Sequence, residues 1–433
     1  MPALRHVYLD HAATTPVRAE VLSAMLPYFS DEAGNPGGLY ADGRRAGVAV
    51  SSARDRIAKI LNCRNEEIIF TGSGTESDNL AIFGIARAYK NKGQHLVASP
   101  IEHHAVINPM EQLKREGFAL TYTEIDASGR VGAKEIIPKL REDTLLVSIM
   151  YANNEIGAIE PVAEIGKAIR EWKRSRGRTP LDPPFFHTDA CQAVGVLDID
   201  VQALQVDLLT LNGSKIYGPK GIGALYRKRG VKVQPIIFGG GQEFRLRSGT
   251  ENVPYIVGLA AALELAQEEK EKENARLITL RDYFIAELHK RIPKIALNGH
   301  PQERLPNNIN VSILDIEGEA LLLYLDEAGI AASTGSACTS ESLDPSHVIV
   351  ACGRPYEFAH GSMRFTLGRS TTKEDLDYVL DVLPPIVEKL RAISPVHLDL
   401  DADADQIARR EAFVSDGVPH WMANNNQAIT DNK

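Results

Sequence analysis

Short apolar runs rich in β-branched and aromatic residues alternate with segments of helical periodicity from residue 66 to residue 226. The alternation predicts repeated βαβ units on a mainly parallel sheet, with strands at 67–71, 95–99, 145–151, 185–188, 206–211 and 223–226. Ligands of open α/β sheets bind beyond the carboxyl ends of the strands. Five of these ends carry polar residues: Gly72-Ser-Gly-Thr, Glu102-His-His, Asn153-Asn-Glu, Asp189-Ala-Cys-Gln and Asn212-Gly-Ser-Lys. Topology alone therefore gathers them on one edge.

The pattern changes near Asn252. A long helix is predicted over 255–291, apolar in its first half (Ile256, Leu259, Ala260, Leu263) and charged over 268–276, a run that reads as a solvated face. Beyond it, strands at 310–313 and 363–366 mix with helices at 319–327 and 373–390. The fold class expected is α/β: a large domain over 16–260, a smaller α+β domain built from 1–15 plus 261–392, and a weakly ordered tail at 393–433.

Composition narrows the function. The chain has 433 residues, 44% hydrophobic and 24% charged, which suits a soluble globular protein with two ordinary cores. The formal charge is -9, and no dense Lys/Arg stripe is present, so nucleic acid is not the expected partner. No signal peptide or membrane-length apolar run is read, and a cytoplasmic location is expected. The four cysteines, Cys63, Cys191, Cys338 and Cys352, form no Cys-x-x-Cys pair or disulfide framework. That fits a reducing compartment and leaves room for a working thiol.

Lys215 carries the most chemistry. It follows a strand, and Asp189 and Gln192 lie upstream of it at the end of another. Pyridoxal phosphate needs a lysine amine for its aldehyde and a carboxylate for its ring nitrogen, and this arrangement meets both needs. Read alone, Asp189 serves equally as a helix N-cap. Thr71-Gly-Ser-Gly-Thr-Glu leads from a strand into a helix, which makes an anion site. Ser73 with Glu76 is also a plain capping box. His103 could stack on a ring, shuttle protons, cap a helix or sit on the surface; a metal site with His104 lacks further ligands at a suitable spacing. Cys338 lies in a small, polar stretch that gives a thiol reach, although an incidental loop cysteine is the alternative. Arg364 suits a carboxylate or a structural salt bridge.

Together these segments resemble the cysteine desulfurase family, class V of the pyridoxal-phosphate-dependent aminotransferase superfamily, fold type I. The similarity runs from about Val7 to Leu390 through Tyr8-Leu-Asp-His-Ala-Ala-Thr-Thr-Pro, Thr71-Gly-Ser-Gly-Thr-Glu-Ser-Asp-Asn, Glu102-His-His-Ala-Val, Asn153-Asn-Glu-Ile-Gly, His187-Thr-Asp-Ala-Cys-Gln, Lys215-Ile-Tyr-Gly-Pro-Lys-Gly, Gly239-Gly-Gly-Gln-Glu, Arg247-Ser-Gly-Thr and Ser336-Ala-Cys-Thr-Ser. The resemblance implies a mainly parallel seven-stranded sheet and pyridoxal 5'-phosphate held by Lys215 as a Schiff base. It places Asp189 on the ring nitrogen, Gln192 on the ring hydroxyl and His103 against the ring, moving protons. Gly74, Thr75, Asn154, Asn212 and Ser214 would also line the cofactor, with Thr250 supplied by the partner subunit of a homodimer. Asn154 and Arg364 would bind the carboxylate of L-cysteine. Cys338 would take the sulfur as a persulfide for an acceptor, in iron-sulfur cluster assembly or tRNA thiolation, and could touch a cluster transiently; no resident metal is implied.

The chain departs from the family pattern in four places. Ser214 stands where histidine is usual, and it offers a hydroxyl but no imidazolium. Asn35-Pro-Gly-Gly-Leu-Tyr replaces the usual Asn-Pro-Ser-Ser-x-His, an insertion occupies 173–184, and the tail differs. A selenocysteine lyase and a sulfur-carrier scaffold of weakened catalysis are the alternative functions. A transaminase would leave Cys338 unexplained.

Overall fold

A computed structural model describes residues 5–334 and 345–395 of the chain. Seven strands form the main sheet: β2 (Ile68–Thr71), β3 (His95–Ala98), β4 (Ala119–Tyr122), β5 (Thr144–Ser148), β6 (Phe185–Asp189), β7 (Leu208–Asn212) and β8 (Gly223–Arg227). Their order across the sheet is β2-β8-β7-β6-β5-β3-β4, preceded in the chain by a short β1 (Val7–Tyr8) that belongs elsewhere. β8 runs antiparallel to both its neighbours, and the other pairings are parallel. The carboxyl ends of β2, β3, β5, β6 and β7 therefore reach one edge, as the alternating pattern predicts.

Strands covered on both faces need apolar residues throughout, and β2, β3, β5 and β6 are buried at every position. Alternate side chains feed two cores. Phe186, Leu209 and Val147 enter one with the helices Ala41–Leu61 and Val162–Ser175. Phe185, Leu208 and Leu146 enter the other with the helices Gly74–Ala88 and His104–Arg115. A further core gathers Val7, Leu9, Phe284, Ile309, Val311 and Phe365 around a three-stranded antiparallel sheet of β9 (Ile295–Leu297), β10 (Asn308–Ile313) and β12 (Ser362–Thr366). There β1 pairs in parallel with β11 (Ile330–Ala331).

A 39-residue helix, Val253–Arg291, links these cores, spanning about 58 Å at 1.5 Å per residue. Its first third packs Ile256, Leu259 and Leu263 under the main sheet, and its C-terminal half packs Leu277, Phe284 and Leu288 in the other core. The charged run between them is not merely solvated. Glu269 accepts from Arg18 and pairs with Arg369, while Arg276 donates to Gly368 O at 2.8 Å and Thr371 O at 2.7 Å. No helix among the described residues is long and apolar enough to cross a membrane.

Several expectations need correction. β4 and β9 escape the sequence pattern because every residue in them is only half buried. The chain leaves the sheet after Ser148 rather than at 151, and β7 starts at Leu208 rather than 206. Lys173 opens no loop. It lies in the last turn of the helix Val162–Ser175, buried, with Nζ donating to Pro180 O at 2.9 Å. The helix Lys373–Ile393 extends one residue into the tail expected at 393–433, most of which lies outside the described residues.

Beyond β8 the backbone takes an unusual course. Glu243, Phe244 and Arg245 have φ of 44, 57 and 65°, three consecutive non-glycine residues in the left-handed region. Each costs about 1 kcal/mol or more. A buried ion pair offsets this: Arg54 Nη2 and Nη1 donate to the two Glu243 carboxylate oxygens at 2.6 and 2.8 Å, and Phe70 N donates to Oε2 at 2.8 Å. Removing one member leaves the other buried and uncompensated. Glu243→Ala is expected to lower stability by about 3–5 kcal/mol in urea denaturation followed by circular dichroism. Adding Arg54→Ala should cost far less than its single-variant effect; strict additivity of the two losses would show that the pair is not the pin.

Candidate active site

The five strand ends expected to carry the chemistry do meet. Asp189 ends β6, 7% exposed, and its Oδ1 accepts from Cys191 N at 2.9 Å. That bond caps a tight turn rather than a helix, because no helix follows until Val201. Gln192, on the same turn, donates to Ala12 O at 3.0 Å. Lys215, three residues past β7, donates from Nζ to Ala13 O. Its neighbour Ser214 accepts through its carbonyl from Thr15 N at 2.9 Å and Thr15 Oγ1 at 3.0 Å.

His103 follows β3 and caps the helix His104–Arg115, with Nδ1 accepting from Ala105 N at 3.1 Å. That bond uses the lone pair a base would need, so neutral His103 carries its proton on Nε2 and presents it as a donor. Burial lowers its pKa below the usual imidazole value; Asp189 opposes the shift and Lys215 adds to it. Three strand ends thus act on one another.

The helix Gly74–Ala88 starts against this group. Ser73 Oγ accepts from Glu76 N at 3.1 Å, but the Glu76 carboxylate does not close a capping box: it accepts from Gly72 N and from Arg247 Nε, each at 2.9 Å. A Cβ on Gly74 would lie 2.7 Å from Cys191 Sγ and 3.2 Å from Asn212 Nδ2, so only glycine allows this approach. Thr75 is exposed in the first turn, and buried Asn212 Oδ1 has no hydrogen-bond partner.

Arg364, on β12, is 4% exposed and reaches across from the other core. Its Nη1 donates to Asn154 O at 3.0 Å and its Nη2 to Asp10 Oδ1 at 2.9 Å, while Nε has no partner. Thr250 is exposed after the left-handed run and is not drawn into the cluster within this chain. Cys338 lies outside the described residues. The other cysteines are held as thiols. Burial pushes Cys63 and Cys352 up to about 12, and burial with the nearby charges of Asp189 and Asp78 also pushes Cys191 up.

The residue-by-residue reading missed an inner layer. Phe185, His187 and Asp189 share the face of β6 covered by the helix Gly74–Ala88. Asp78 from that helix therefore comes within 3.5 Å of His187 Nε2, both side chains being buried. His187 also contacts Ser148 Oγ at 2.8 Å and Thr210 Oγ1 at 3.1 Å. Burial, then the charge of Asp189, raises the Asp78 pKa, and burial lowers that of His187 to about 4, so His187 is neutral at pH 7. Glu102, buried and raised to about 8, accepts at Oε1 from Ser99 Oγ at 2.5 Å and Met150 N at 2.8 Å, tying the ends of β3 and β5 together. The spacing of two between His187 and Asp189 was the available signal for the first group. For Glu102 the sequence gives only its place at a polar strand end.

These residues fit pyridoxal phosphate: an amine, a buried carboxylate, a glycine-lined approach to a helix start, and an orphaned amide oxygen. Comparisons with known proteins agree. The aminotransferase class-V family model matches residues 7–379. The cysteine desulfurase IscS of Dictyoglomus turgidum is 52% identical, with 90% of this chain and 97% of that protein covered. The one from Methanosarcina thermophila is also 52% identical, covering 90% and 94%. Among solved structures, a NifS-like protein is 34% identical with a TM-score of 0.81, covering 90% of this chain and all of that one. SspA in complex with cysteine is 35% identical with a TM-score of 0.71, covering 83% and 98%. The chain belongs to the class-V aminotransferase family, in its cysteine desulfurase group.

Proposed function

We propose that this chain is a pyridoxal-phosphate-dependent cysteine desulfurase that converts L-cysteine to L-alanine and takes the sulfur on Cys338. The observation that carries the reading is the meeting of Lys215, Asp189 and His103 at one sheet edge, where Asp189 and Lys215 both act on the His103 ring.

Lys215 and Asp189 would hold the cofactor at its aldehyde and ring nitrogen, Gln192 its ring hydroxyl, and Gly74, Thr75, Asn212 and Ser214 its remaining polar groups. Bound there, pyridoxal phosphate supplies an electron sink for the pair left when the substrate α-carbon loses its proton. Lys215 would be the base for that proton. His103, stacked beside it and neutral, donates from Nε2. Asn154 and Arg364 fix the substrate carboxylate. The Cys338 thiolate attacks the substrate sulfur: an S–S bond forms as the C–S bond breaks, and the electron pair and a proton pass to carbon, giving L-alanine. No outside oxidant or reductant is needed. A free thiol with a pKa of about 8.5 is only a few per cent ionised at pH 7, so this step speeds up with pH.

The acceptor is a sulfur-carrying partner such as an iron-sulfur scaffold or a tRNA-thiolation relay, in the cytoplasm. A second copy of the chain would bring Thr250 to the phosphate. Phe238 and Phe244, 78% and 51% exposed before Thr250, supply apolar surface for such a dimer.

Incubated with pyridoxal phosphate, the wild type should show the visible absorbance of a lysine Schiff base and Lys215→Ala should not; a retained band would mean the anchor is elsewhere. Cys338→Ala should keep the band but release no sulfide from L-cysteine with a reductant present, and sulfide release at the wild-type rate would sink the persulfide role. Protonating His103 at Nδ1 breaks its cap and removes the neutral ring. Because its pKa is lowered, α-proton exchange of L-alanine, which does not use the Cys338 thiolate, should hold down to pH values below the usual imidazole midpoint of about 6.5 and fall only as pH drops further. His103→Ala should lower kcat about 100-fold and erase that acid limb, and a limb left unchanged would assign it to another group.

A further inference from the structure

The motif Tyr8-Leu-Asp-His-Ala-Ala-Thr-Thr-Pro has no role in the chemistry so far, yet three of its residues touch three residues of the site. Asp10 accepts from Arg364, Ala12 O from Gln192 and Ala13 O from Lys215. His11 Nδ1 lies 2.9 Å from Thr366 O, fastening the segment to β12.

Asp10 is itself held rigidly. Its carbonyl accepts from Tyr8 Oη at 3.0 Å, from Ala13 N at 3.1 Å and from Thr14 N at 3.4 Å, and its backbone bridges to Thr366. Its carboxylate is thus presented to Arg364 from a fixed backbone rather than from a mobile side chain on the surface. Arg364 cannot be left without an anion or acceptors at 4% exposure. Its backbone exchanges hydrogen bonds with Ser333 at 2.6 and 3.1 Å, which fixes the root of the side chain but not the plane of the guanidinium. Asp10 and Asn154 O set that plane, leaving Nε and the second hydrogens of both terminal nitrogens for a ligand. A second carboxylate, Glu155, buried and raised to about 7, also feels the Arg364 charge but is engaged by Ser346 Oγ at 2.5 Å.

We propose that Asp10 is a positioning residue for the substrate carboxylate, acting through Arg364 by fixing the plane of its guanidinium. The inference rests on the reading of Arg364 as the carboxylate binder. The Asp10–Ala13 segment thereby joins the carboxylate-binding arginine to the cofactor lysine and its neighbour Gln192.

The test uses full-length enzyme loaded with pyridoxal phosphate and two readouts: KM and kcat for L-cysteine, and the dissociation constant of L-alanine from the change in cofactor absorbance. Asp10→Ala should raise KM and the alanine dissociation constant by about 10-fold, the loss of one charge-assisted hydrogen bond, with kcat changed less than about 3-fold. Asp10→Asn, which keeps an acceptor oxygen, should recover most of the affinity and serves if Asp10→Ala does not fold. In an Arg364→Ala background, Asp10→Ala should change neither constant further. Unchanged or tighter alanine binding in Asp10→Ala, or losses that multiply in the double variant, would overturn the proposal. If Arg364→Ala alone leaves alanine binding intact, the carboxylate reading itself fails; if Arg364→Ala weakens binding and Asp10→Ala does not, only the role of Asp10 falls.

Discussion

A carboxylate buried at the end of a strand must be compensated by what surrounds it, and Asp189 imposes that requirement on the whole catalytic edge. Within the turn its Oδ1 accepts from the backbone N–H of Cys191. The surrounding groups are arranged so that further negative charge beside Asp189 is disfavoured. Asp78 and Glu102 are raised by burial and by its field, His187 is kept neutral by burial, and the Cys191 thiol is suppressed. A concentrated charge facing a cationic ring nitrogen is worth more in a dry site than the same charge spread over three carboxylates. The inner layer beneath Asp189 thus favours a single protonation pattern.

This arrangement depends on two cores meeting at one edge. The main sheet delivers His103, Asp189 and Lys215, while Arg364 arrives from β12 in the other core. The helix Val253–Arg291 packs in both cores, and its charged middle is tied down by Arg18, Arg369 and the backbone around Gly368. A continuous helix transmits position with little loss, so the two halves of the site are held in register by a rod rather than by loops.

Legibility from sequence followed the range of the interaction. Strands β3, β5, β6 and β7 were readable because burial on both faces demands unbroken apolar runs, and Asp189 and Lys215 were readable because each sits within a few residues of such a run. β4 and β9, half buried, leave no such trace. Asp10 is separated from Arg364 by 354 residues and Arg54 from Glu243 by 189, and neither pairing has a local signature. The run 268–276 misled for the same reason: its charges look solvated until Arg18 and Arg369 are folded against them. The hydrogen bond that turns His103 into a donor depends on one backbone N–H two residues away, a detail of geometry that residue type does not encode.

The three thiols held above their ordinary pKa bear on how such a protein can handle sulfur at all. Sulfane sulfur passes readily from one thiolate to another, so every ionised cysteine within reach is a potential leak. Cys191 lies in the same turn as Asp189, and its thiol is suppressed by burial and then by the carboxylate proposed to serve the ring nitrogen. Cys63 and Cys352 are silenced by burial. The carboxylate proposed for the ring nitrogen would thus also help to keep sulfur off the neighbouring thiol.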